Sequence, residues 1–397
     1  MAYYSIFPEK DTTIYSHPDR INMNTGKDEI LELVEEKATT GEIYYTSRIL
    51  IKFKNTDLRD VIENKLTGIA KEVTANTCEV SLNLFSGENK SLTSDHTIIA
   101  FPLSQSWEEG TQRYDANPPF TTTGSFQAAN GATWIHRNRS TGSAWTSSNA
   151  EFDSTFALAS GSYSNQAGGG IWHIGSAFRS EATFLAEDNL DLSLDVTTMI
   201  QKFSSSFYDD SPSYPTGIPN HGFIVKKLRA VEEDGFGFGE LQYFSSDTHT
   251  IYPPKLTFKW DDSTYNQIAG STTLQSGEIF LSLYNSKQEF QRKSKQRFRL
   301  TTRKRYPDRT FTTESNYLNT QYLPKTSYYS VRDAETNEVI IPFDTNYTKL
   351  SADSEGMYFD LYMEGLQPER YYKLMFRSDN QEGIQIFDED YSFKIVR

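Results

Sequence analysis

Short segments in which apolar and polar residues alternate recur along the whole chain, and this period of two predicts β-strands joined by polar turns. The clearest segments cover residues 47–53, 79–85, 97–103, 221–226, 256–260, 279–284, 327–331, 371–376 and 391–396. In the first of these, Arg48 and Lys52 are expected at the margins of an apolar strand. Residues 57–66 and 196–203 follow the helical period instead, and Asp57 is placed to cap the first helix. We therefore predict an all-β fold with two short helices.

The length and the spacing of these segments predict two domains. At 397 residues the chain exceeds one ordinary domain. A first β-sandwich is expected over residues 1–262, a linker over residues 263–277, where the periodicity is lost, and a second sandwich over residues 278–397. The second region has the strand spacing of an immunoglobulin-like sandwich. Its residues 365–372 fit the corner of such a fold, with a tyrosine opening the penultimate strand.

Composition narrows the class of protein. Aromatic residues make up 14% of the chain, which suits half-buried strands, and a disordered chain would lack them. The net charge of −14 argues against a general nucleic-acid binder, whose surface should be basic. The single cysteine, Cys78, excludes an intrachain disulfide and is expected to be buried. Neither a signal peptide nor a membrane span is recognised, so synthesis in a reducing cytoplasm and no membrane partner are expected.

A turn with an aromatic anchor stands out near the middle of the first domain. Trp107 is followed by Glu108, Glu109 and Gly110, and we expect its ring in the core beside the turn. After it, at about residues 119–184, the chain becomes rich in Gly, Ser, Thr, Asn and Ala. This segment is interpreted as an insertion of long loops at the sandwich edge, some of which contact a partner.

Several short motifs occur together in a recognisable order. They are residues 11–53, the turn at 106–110 with Asn117 and Pro118, the helix start at 194–197, Gly222 with Phe223, and residues 253–256. In this order they resemble the DNRLRE-type (disaggregatase-related) module over about residues 10–262. The resemblance implies a jelly-roll-like β-sandwich related to carbohydrate-binding modules. The chain departs from that family by a long insertion at about residues 121–170.

That resemblance raises the question of sugar binding. Aromatic rings stack on pyranose rings, and Trp134, Trp145, Tyr163 and Trp172, set among small polar residues, are the candidates. The alternative is that these rings fill the core or pack between subunits.

A local run of positive charge stands out in the second domain. Lys293, Lys295, Arg297 and Arg299 alternate and should share one face of a strand, with Phe298 and Leu300 turned to the core. The run is a solvated face that protects an edge, a dock for an acidic surface such as a neighbouring copy, or a DNA contact.

Signals for catalysis are weak. His136 and His173 lack the further ligands that a zinc site requires, and lone acids do not form a calcium site. The pairs Glu108–Glu109 and Asp209–Asp210 are candidate catalytic carboxylates for glycoside hydrolysis, but we expect both pairs to lie in solvated turns. The glycine run at 168–170 opens no helix and precedes no Lys-Ser/Thr pair, so it is no phosphate site. We expect no catalytic residues, no metal and no cofactor.

With its immunoglobulin-like second domain, the chain also resembles a structural protein of a tailed-bacteriophage virion. The function expected from the sequence is a non-enzymatic component of the tail, neck or fibre apparatus, made in the host cytoplasm and located in the virion. Its partners would be other virion proteins and copies of itself. A carbohydrate-binding protein that recognises cell-surface glycan is the alternative, followed by a polysaccharide hydrolase.

Overall fold

The structure is a computed structural model that describes residues 2–17, 19–37, 44–66, 78–87, 95–114, 130–146, 168–184, 190–207, 217–228, 231–232, 239–284, 287–307 and 320–397. The chain divides into two compact units. The N-terminal unit is Ile6–Thr257, and the C-terminal unit combines Met1–Ser5 with Phe258–Arg397.

Strands account for most of the described elements, which confirms the predicted all-β sandwich class. In the first part of the chain they are β1 (Ala2–Ile6), β2 (Pro8–Tyr15), β3 (Ile30–Lys37), β4 (Tyr44–Phe53), β5 (Cys78–Leu84), β6 (His96–Pro102), β7 (His136–Asn138), β8 (Ser143–Ala144), β9 (Ser180–Phe184), β10 (Leu192–Asp195), β11 (Phe223–Lys227), β12 (Glu240–Phe244) and β13 (Lys255–Trp260). They continue with β14 (Thr272–Thr273), β15 (Ile279–Tyr284), β16 (Glu289–Gln291), β17 (Lys295–Lys304), β18 (Gln321–Tyr322), β19 (Ser327–Asp333), β20 (Val339–Ile341), β21 (Ser351–Asp353), β22 (Gly356–Tyr362), β23 (Tyr371–Asn380), β24 (Gly383–Phe387) and β25 (Ser392–Val396).

Both helices predicted from the apolar spacing are present. Helix α1 (Asn55–Asp60) continues into a π-helical turn (Val61–Lys65), and α2 spans Thr197–Phe207. Asp57 lies in the first turn of α1 rather than at its cap, which is Lys54. Two 3-10 turns, Ser176–Phe178 and Met363–Gly365, complete the described helical elements. None of the helices in these ranges is long and apolar enough to cross a membrane.

The N-terminal unit contains a large sheet whose central strands are buried on both faces. Its strand order is β12-β3-β4-β11-β6-β9, with β2 also paired to β4, while β13-β5-β10 run side by side in another sheet. On β4, both Leu50 and its neighbour Ile51 are fully buried, although they point to opposite faces. A sheet of this kind needs a cover on each side, and the segments 130–146 and 168–173 supply one of them.

The core beneath that cover can be read from the strand register. Ile224 lies opposite Leu50 on one side of β11 and opposite Phe101 on the other, so these three side chains share one face. They cluster with Trp134 and Trp172, among other residues. The segment predicted to form loops at the sandwich edge therefore covers a sheet face, in those parts that the structure describes.

The C-terminal unit has the strand order of an immunoglobulin-like sandwich, as its spacing predicted. One sheet contains the run β15-β17-β22-β21, and the other runs β16-β25-β23-β19-β20. In the lettering of immunoglobulin domains, strands A to G are β15, β17, β19, β21, β22, β23 and β25. The two sheets then have the strand orders ABED and GFC. Strands β14 and β18 extend the first sheet, and β1 pairs with β13.

The predicted corner of this sandwich is present. Tyr372, the second residue of β23, is buried and donates a hydrogen bond from its hydroxyl to the carbonyl oxygen of Gln367 at 2.9 Å. This contact spans the turn that leads into β23, and such an arrangement is called a tyrosine corner. Phe298 and Leu300 are buried in the core of the same unit, as expected.

The predicted linker is instead a packed part of the C-terminal unit. Leu274 is buried in its core, and Tyr265 packs against that core. Strand β14 pairs in parallel with β18, and Tyr265 forms a bridge to Ala352. The division between the units falls earlier, inside β13, between Thr257 and Phe258. The segment lacks periodicity because it buries isolated apolar side chains rather than a regular face.

Candidate functional site

The three described candidates for glycan stacking are core residues. Trp134 and Trp145 are each 3% exposed and Trp172 is 2% exposed. Their rings have no free face for a sugar, so the core alternative is the one that the structure shows. Tyr163 lies outside the described residues. Trp107 is also buried, as expected, and its indole donates a hydrogen bond to the carbonyl oxygen of His221 at 3.0 Å.

Two of the tryptophans cover a buried arginine. The guanidinium carbon of Arg48 lies 4.8 Å from the ring centroid of Trp134 and 5.2 Å from that of Trp172. Arg48 Nη1 also donates to the carbonyl oxygen of Gly169 at 2.8 Å. A Cβ atom at Gly169 would lie 2.5 Å from that nitrogen, so the glycine run at 168–170 serves close packing. The sequence suggested the margin of a strand for Arg48, and the structure corrects this, since its side chain is fully buried.

The turn after Trp107 is fastened by one asparagine. Asn24 Nδ2 donates to the carbonyl oxygens of Glu109 at 2.6 Å and of Ala132 at 2.9 Å. A Cβ atom at Gly110, where φ is +89°, would lie 2.1 Å from Asn24 Oδ1. The turn therefore joins three separate segments of the chain and is a structural junction.

The nominated carboxylate pair is used within the same junction. Glu109 Oε2 accepts a hydrogen bond from Lys27 Nζ at 2.9 Å, and Glu108 lies 3.9 Å from Lys10 Nζ. The two carboxylates thus face different lysines rather than one shared cleft. The second nominated pair, Asp209 and Asp210, lies outside the described residues.

The two histidines of the insertion do not converge with other ligands. Burial lowers the pKa of His173, and burial together with the charge of Arg139 lowers that of His136. Within the described ranges, no group of three or more His, Cys, Asp or Glu side chains is arranged to hold a metal ion. Cys78 is buried, as predicted.

The basic run of the second domain is neutralised by its own sheet. Arg297 forms a two-point contact with Asp360, at 2.8 and 3.0 Å, and Lys295 Nζ lies 3.2 Å from the same carboxylate. Arg299 binds Asp353 in the same two-point way, at 2.9 and 3.0 Å. The hydrogen bond from Arg299 lowers the pKa of Asp353, so this carboxylate stays charged at neutral pH.

Lys293 differs from the other three cations. It lies in the turn between β16 and β17 rather than on the strand, and its exposed ammonium has no ion pair with the described residues. The predicted face of four alternating cations is therefore three paired cations on β17 and one cation in a turn. The guanidinium of Arg297 also lies 4.1 Å from the ring centroid of Tyr358, which further holds it to the sheet.

Two edge strands of the same unit carry exposed apolar side chains that were not predicted as a candidate site. On β15, Phe280 is 39% and Tyr284 is 63% exposed, and on β24, Ile384 and Ile386 are 62% and 58% exposed. Among the described strands, β15 pairs only with β17, and β24 only with β23. Phe280 and Tyr284 lie on the outer face of one sheet, where Arg303 lies 4.5 Å from the Phe280 ring centroid. Ile384 and Ile386 lie together on the outer face of the other sheet, and we call these two isoleucines the edge surface. The outward alternation of large apolar residues in both strands was visible in the sequence, but which strands lie at an edge was not.

Two hydrogen bonds join β24 and the turn before it to Gly277, just ahead of β15. Gln385 Nε2 donates to the carbonyl oxygen of Gly277 at 3.1 Å, and the amide of Gly277 donates to Glu382 Oε2 at 2.9 Å. Apolar side chains in an exposed patch commonly mark a protein interface. Comparison with protein-family models, with curated proteins and with solved structures found no match for this chain.

Proposed function

We propose that the chain is a non-enzymatic structural component of a tailed-phage virion, in the tail, neck or fibre apparatus. In this proposal the C-terminal unit docks to a neighbouring virion protein through the edge surface. The N-terminal sandwich serves as a display or attachment module. The order of motifs that resembles the DNRLRE-type module, together with the immunoglobulin-like strand order, supports the proposal.

The observation that carries the proposal is the edge surface itself. Free strand edges with large apolar side chains are a hazard for a protein that stays alone in solution. Native proteins retain such edges where a partner covers them. Docking through the basic strand is less favoured, because Lys295, Arg297 and Arg299 are already paired with carboxylates of the same unit.

The membership in a virion is tested by mass spectrometry of purified particles. The proposal expects the chain in stoichiometric copies relative to known tail or neck proteins. Its absence from intact, infectious particles would refute the proposal.

The docking surface is tested by a matched pair of variants. Ile384→Thr with Ile386→Thr should lower incorporation into particles at least tenfold. Val339→Thr, at an exposed apolar residue of β20, should leave incorporation unchanged. Equal incorporation of both variants would exclude the edge surface as the dock, and circular dichroism would verify that both are folded.

A further inference from the structure

A polar groove lies at one end of the C-terminal unit, away from the residues that the sequence singled out. Its volume is about 660 Å³, within the range of roughly 300–1,000 Å³ that small-molecule sites occupy. The lining includes Tyr265, Asn266, Gln267, Gln275 and Lys325.

The groove lies where immunoglobulin-like domains carry their binding loops. Lys325 and its neighbours directly precede β19, so they belong to the connection between strands B and C. The amide of Asp379, beside the turn between β23 and β24, donates to the carbonyl oxygen of Thr326 in that connection at 2.8 Å. The amide of Gln381, in the same turn, donates to the carbonyl oxygen of Gln275 at 3.2 Å. The B–C connection and the F–G turn therefore meet at this end of the sandwich, which is the end that variable domains use for recognition.

The amide side chains in the groove retain hydrogen-bonding capacity. Gln267 Oε1 accepts from the hydroxyl of Thr273 at 3.0 Å, which fixes the orientation of the amide and leaves its Nε2 donor for a ligand. The side chains of Asn266 and Gln275 have no hydrogen bonds with the described residues. Side-chain amides that both donate and accept suit the hydroxyl groups of a sugar.

One aromatic ring in the groove is held in place. The hydroxyl of Tyr265 donates to the carbonyl oxygen of Leu323, and the ring packs against the core of the unit. Lys325 Nζ lies over this ring, 5.4 Å from its centroid, and its exposed, flexible side chain would move to the rim of the ring when a sugar stacks there. A fixed ring beside free amides provides a stacking platform whose geometry costs little ordering entropy on binding.

The charge of the groove favours one class of sugar. Lys325 is the sole charged side chain among the described residues that line the groove, and no described carboxylate pairs with it. Its ammonium, so close to the Tyr265 ring, would reach an acidic substituent of a sugar stacked there. The chain as a whole carries a net charge of −14, so a positive groove departs from the general surface.

We propose that this groove binds an oligosaccharide that carries a carboxylate, such as a uronate or a sialate. Tyr265 stacks on the sugar ring, Asn266, Gln267 and Gln275 bind its hydroxyls, and Lys325 pairs with the carboxylate. A peptide is less favoured, since the lining offers amides and hydroxyls rather than a pocket for an apolar side chain. The inference does not depend on the proposed virion role.

The test uses the full chain and an array of uronate- and sialate-bearing oligosaccharides, with their carboxyl-reduced counterparts as matched neutral probes. We expect binding to at least one acidic probe and at least tenfold weaker binding to its reduced form. Binding to no acidic probe, or equal binding to both forms, would overturn the proposal.

Variants separate this groove from other sites. Lys325→Gln should reduce affinity for the acidic probe at least tenfold, to the level of the reduced probe, whereas Lys293→Gln should leave it unchanged. Tyr265→Ala should abolish binding, and Asn266→Ala should weaken it without the risk of disturbing the core. Affinity that is the same in Lys325→Gln and Asn266→Ala as in the original chain would refute the groove, and titration calorimetry gives the values.

Discussion

Glu232 accepts two hydrogen bonds from Arg48, one from Nε at 3.1 Å and one from Nη2 at 2.8 Å, and neither side chain is exposed to solvent. Lys226 Nζ donates to the same carboxylate at 2.5 Å. Burial alone would raise the pKa of Glu232, but the charges and hydrogen bonds of Arg48 and Lys226 outweigh it and lower the pKa. A buried carboxylate with two cationic partners thus stands under the tryptophan cover of the large sheet.

Replacing Glu232 by Gln should strongly destabilise the N-terminal unit. The variant leaves two buried cations without their anion, and breaking such pairs costs about 3–5 kcal/mol. Urea unfolding monitored by tryptophan fluorescence measures the loss, since four of the five tryptophans lie in this unit. In Glu181→Gln, which breaks the exposed pair with Arg179, the loss should stay below about 1 kcal/mol.

The buried ion pairs of Glu232 also predict how the stability of the N-terminal unit depends on pH. Because the folded-state pKa of Glu232 lies below its usual value of 4.5, the stabilisation is complete above that pH and is lost as the pH falls through the folded-state pKa. The stability difference between the original chain and Glu232→Gln should therefore narrow below about pH 4.5. A difference that stays constant down to pH 3 would contradict the assigned charge state.

The contribution of Asp11 to stability should depend on pH in the opposite direction. Its carboxylate accepts from the amide of Ser246 at 2.7 Å, but burial raises its pKa to about 7, with further contributions from Glu109 and Asp247. Ionisation of Asp11 therefore opposes folding, so its contribution to stability falls as the pH rises from about 4 to about 7.

Replacing Asp11 by Asn tests this directly. The amide oxygen retains an acceptor for Ser246, and the cost of burying a charge disappears. We expect the variant to be more stable than the original chain at pH 8, by about 1–4 kcal/mol, and to differ little from it at pH 4. Chemical denaturation at both pH values measures the two differences, and equal stability at pH 8 would show that Asp11 is not buried as a charge.

The strands and helices could be predicted from the sequence more reliably than the burial and the partners of individual side chains. Alternation predicted most of the strands, and Tyr372 was recognisable because its corner is a local motif. Arg48 was misplaced because its partner Glu232 is 184 residues away and stands in an acidic stretch that resembles a solvated turn. Nothing local distinguishes a charge that faces water from one that faces a distant opposite charge.

The predicted stacking role of the tryptophans was wrong for a related physical reason. Trp134, Trp145 and Trp172 stand among small polar residues, which is a composition typical of exposed loops. The small residues instead allow the backbone to lie close to the large rings, as Gly169 does beside Trp134 and Arg48. Whether an aromatic ring among glycines covers a sheet or faces solvent depends on tertiary contacts that periodicity does not encode.

Gly110 should be intolerant of any side chain. Its φ of +89° disfavours other residues, and the added methyl of Ala would overlap Asn24 Oδ1 and disturb the junction. We expect Gly110→Ala to lower the free energy of unfolding by about 3 kcal/mol from overpacking and strain together. Thermal unfolding by circular dichroism measures the change.

Gly142 provides the matched control for this variant. It also has a positive φ, of +68°, but no atom lies within 4 Å of an added Cβ. Gly142→Ala should therefore cost only the backbone strain, about 1 kcal/mol. Equal losses in the two variants would show that the contact with Asn24 contributes nothing.

Tyr372→Phe should destabilise the C-terminal unit while leaving its core packing intact. The variant removes the hydroxyl that donates to Gln367 and leaves that carbonyl oxygen without this partner, at a cost of about 1–3 kcal/mol. The adjacent Tyr371 is 52% exposed, so Tyr371→Phe should change stability by less than about 0.5 kcal/mol. Near-ultraviolet circular dichroism during urea unfolding follows the many tyrosines of this unit. If the two variants unfold at the same urea concentration, the corner does not stabilise the sandwich, whereas a lower midpoint for Tyr372→Phe alone assigns the effect to that one hydrogen bond.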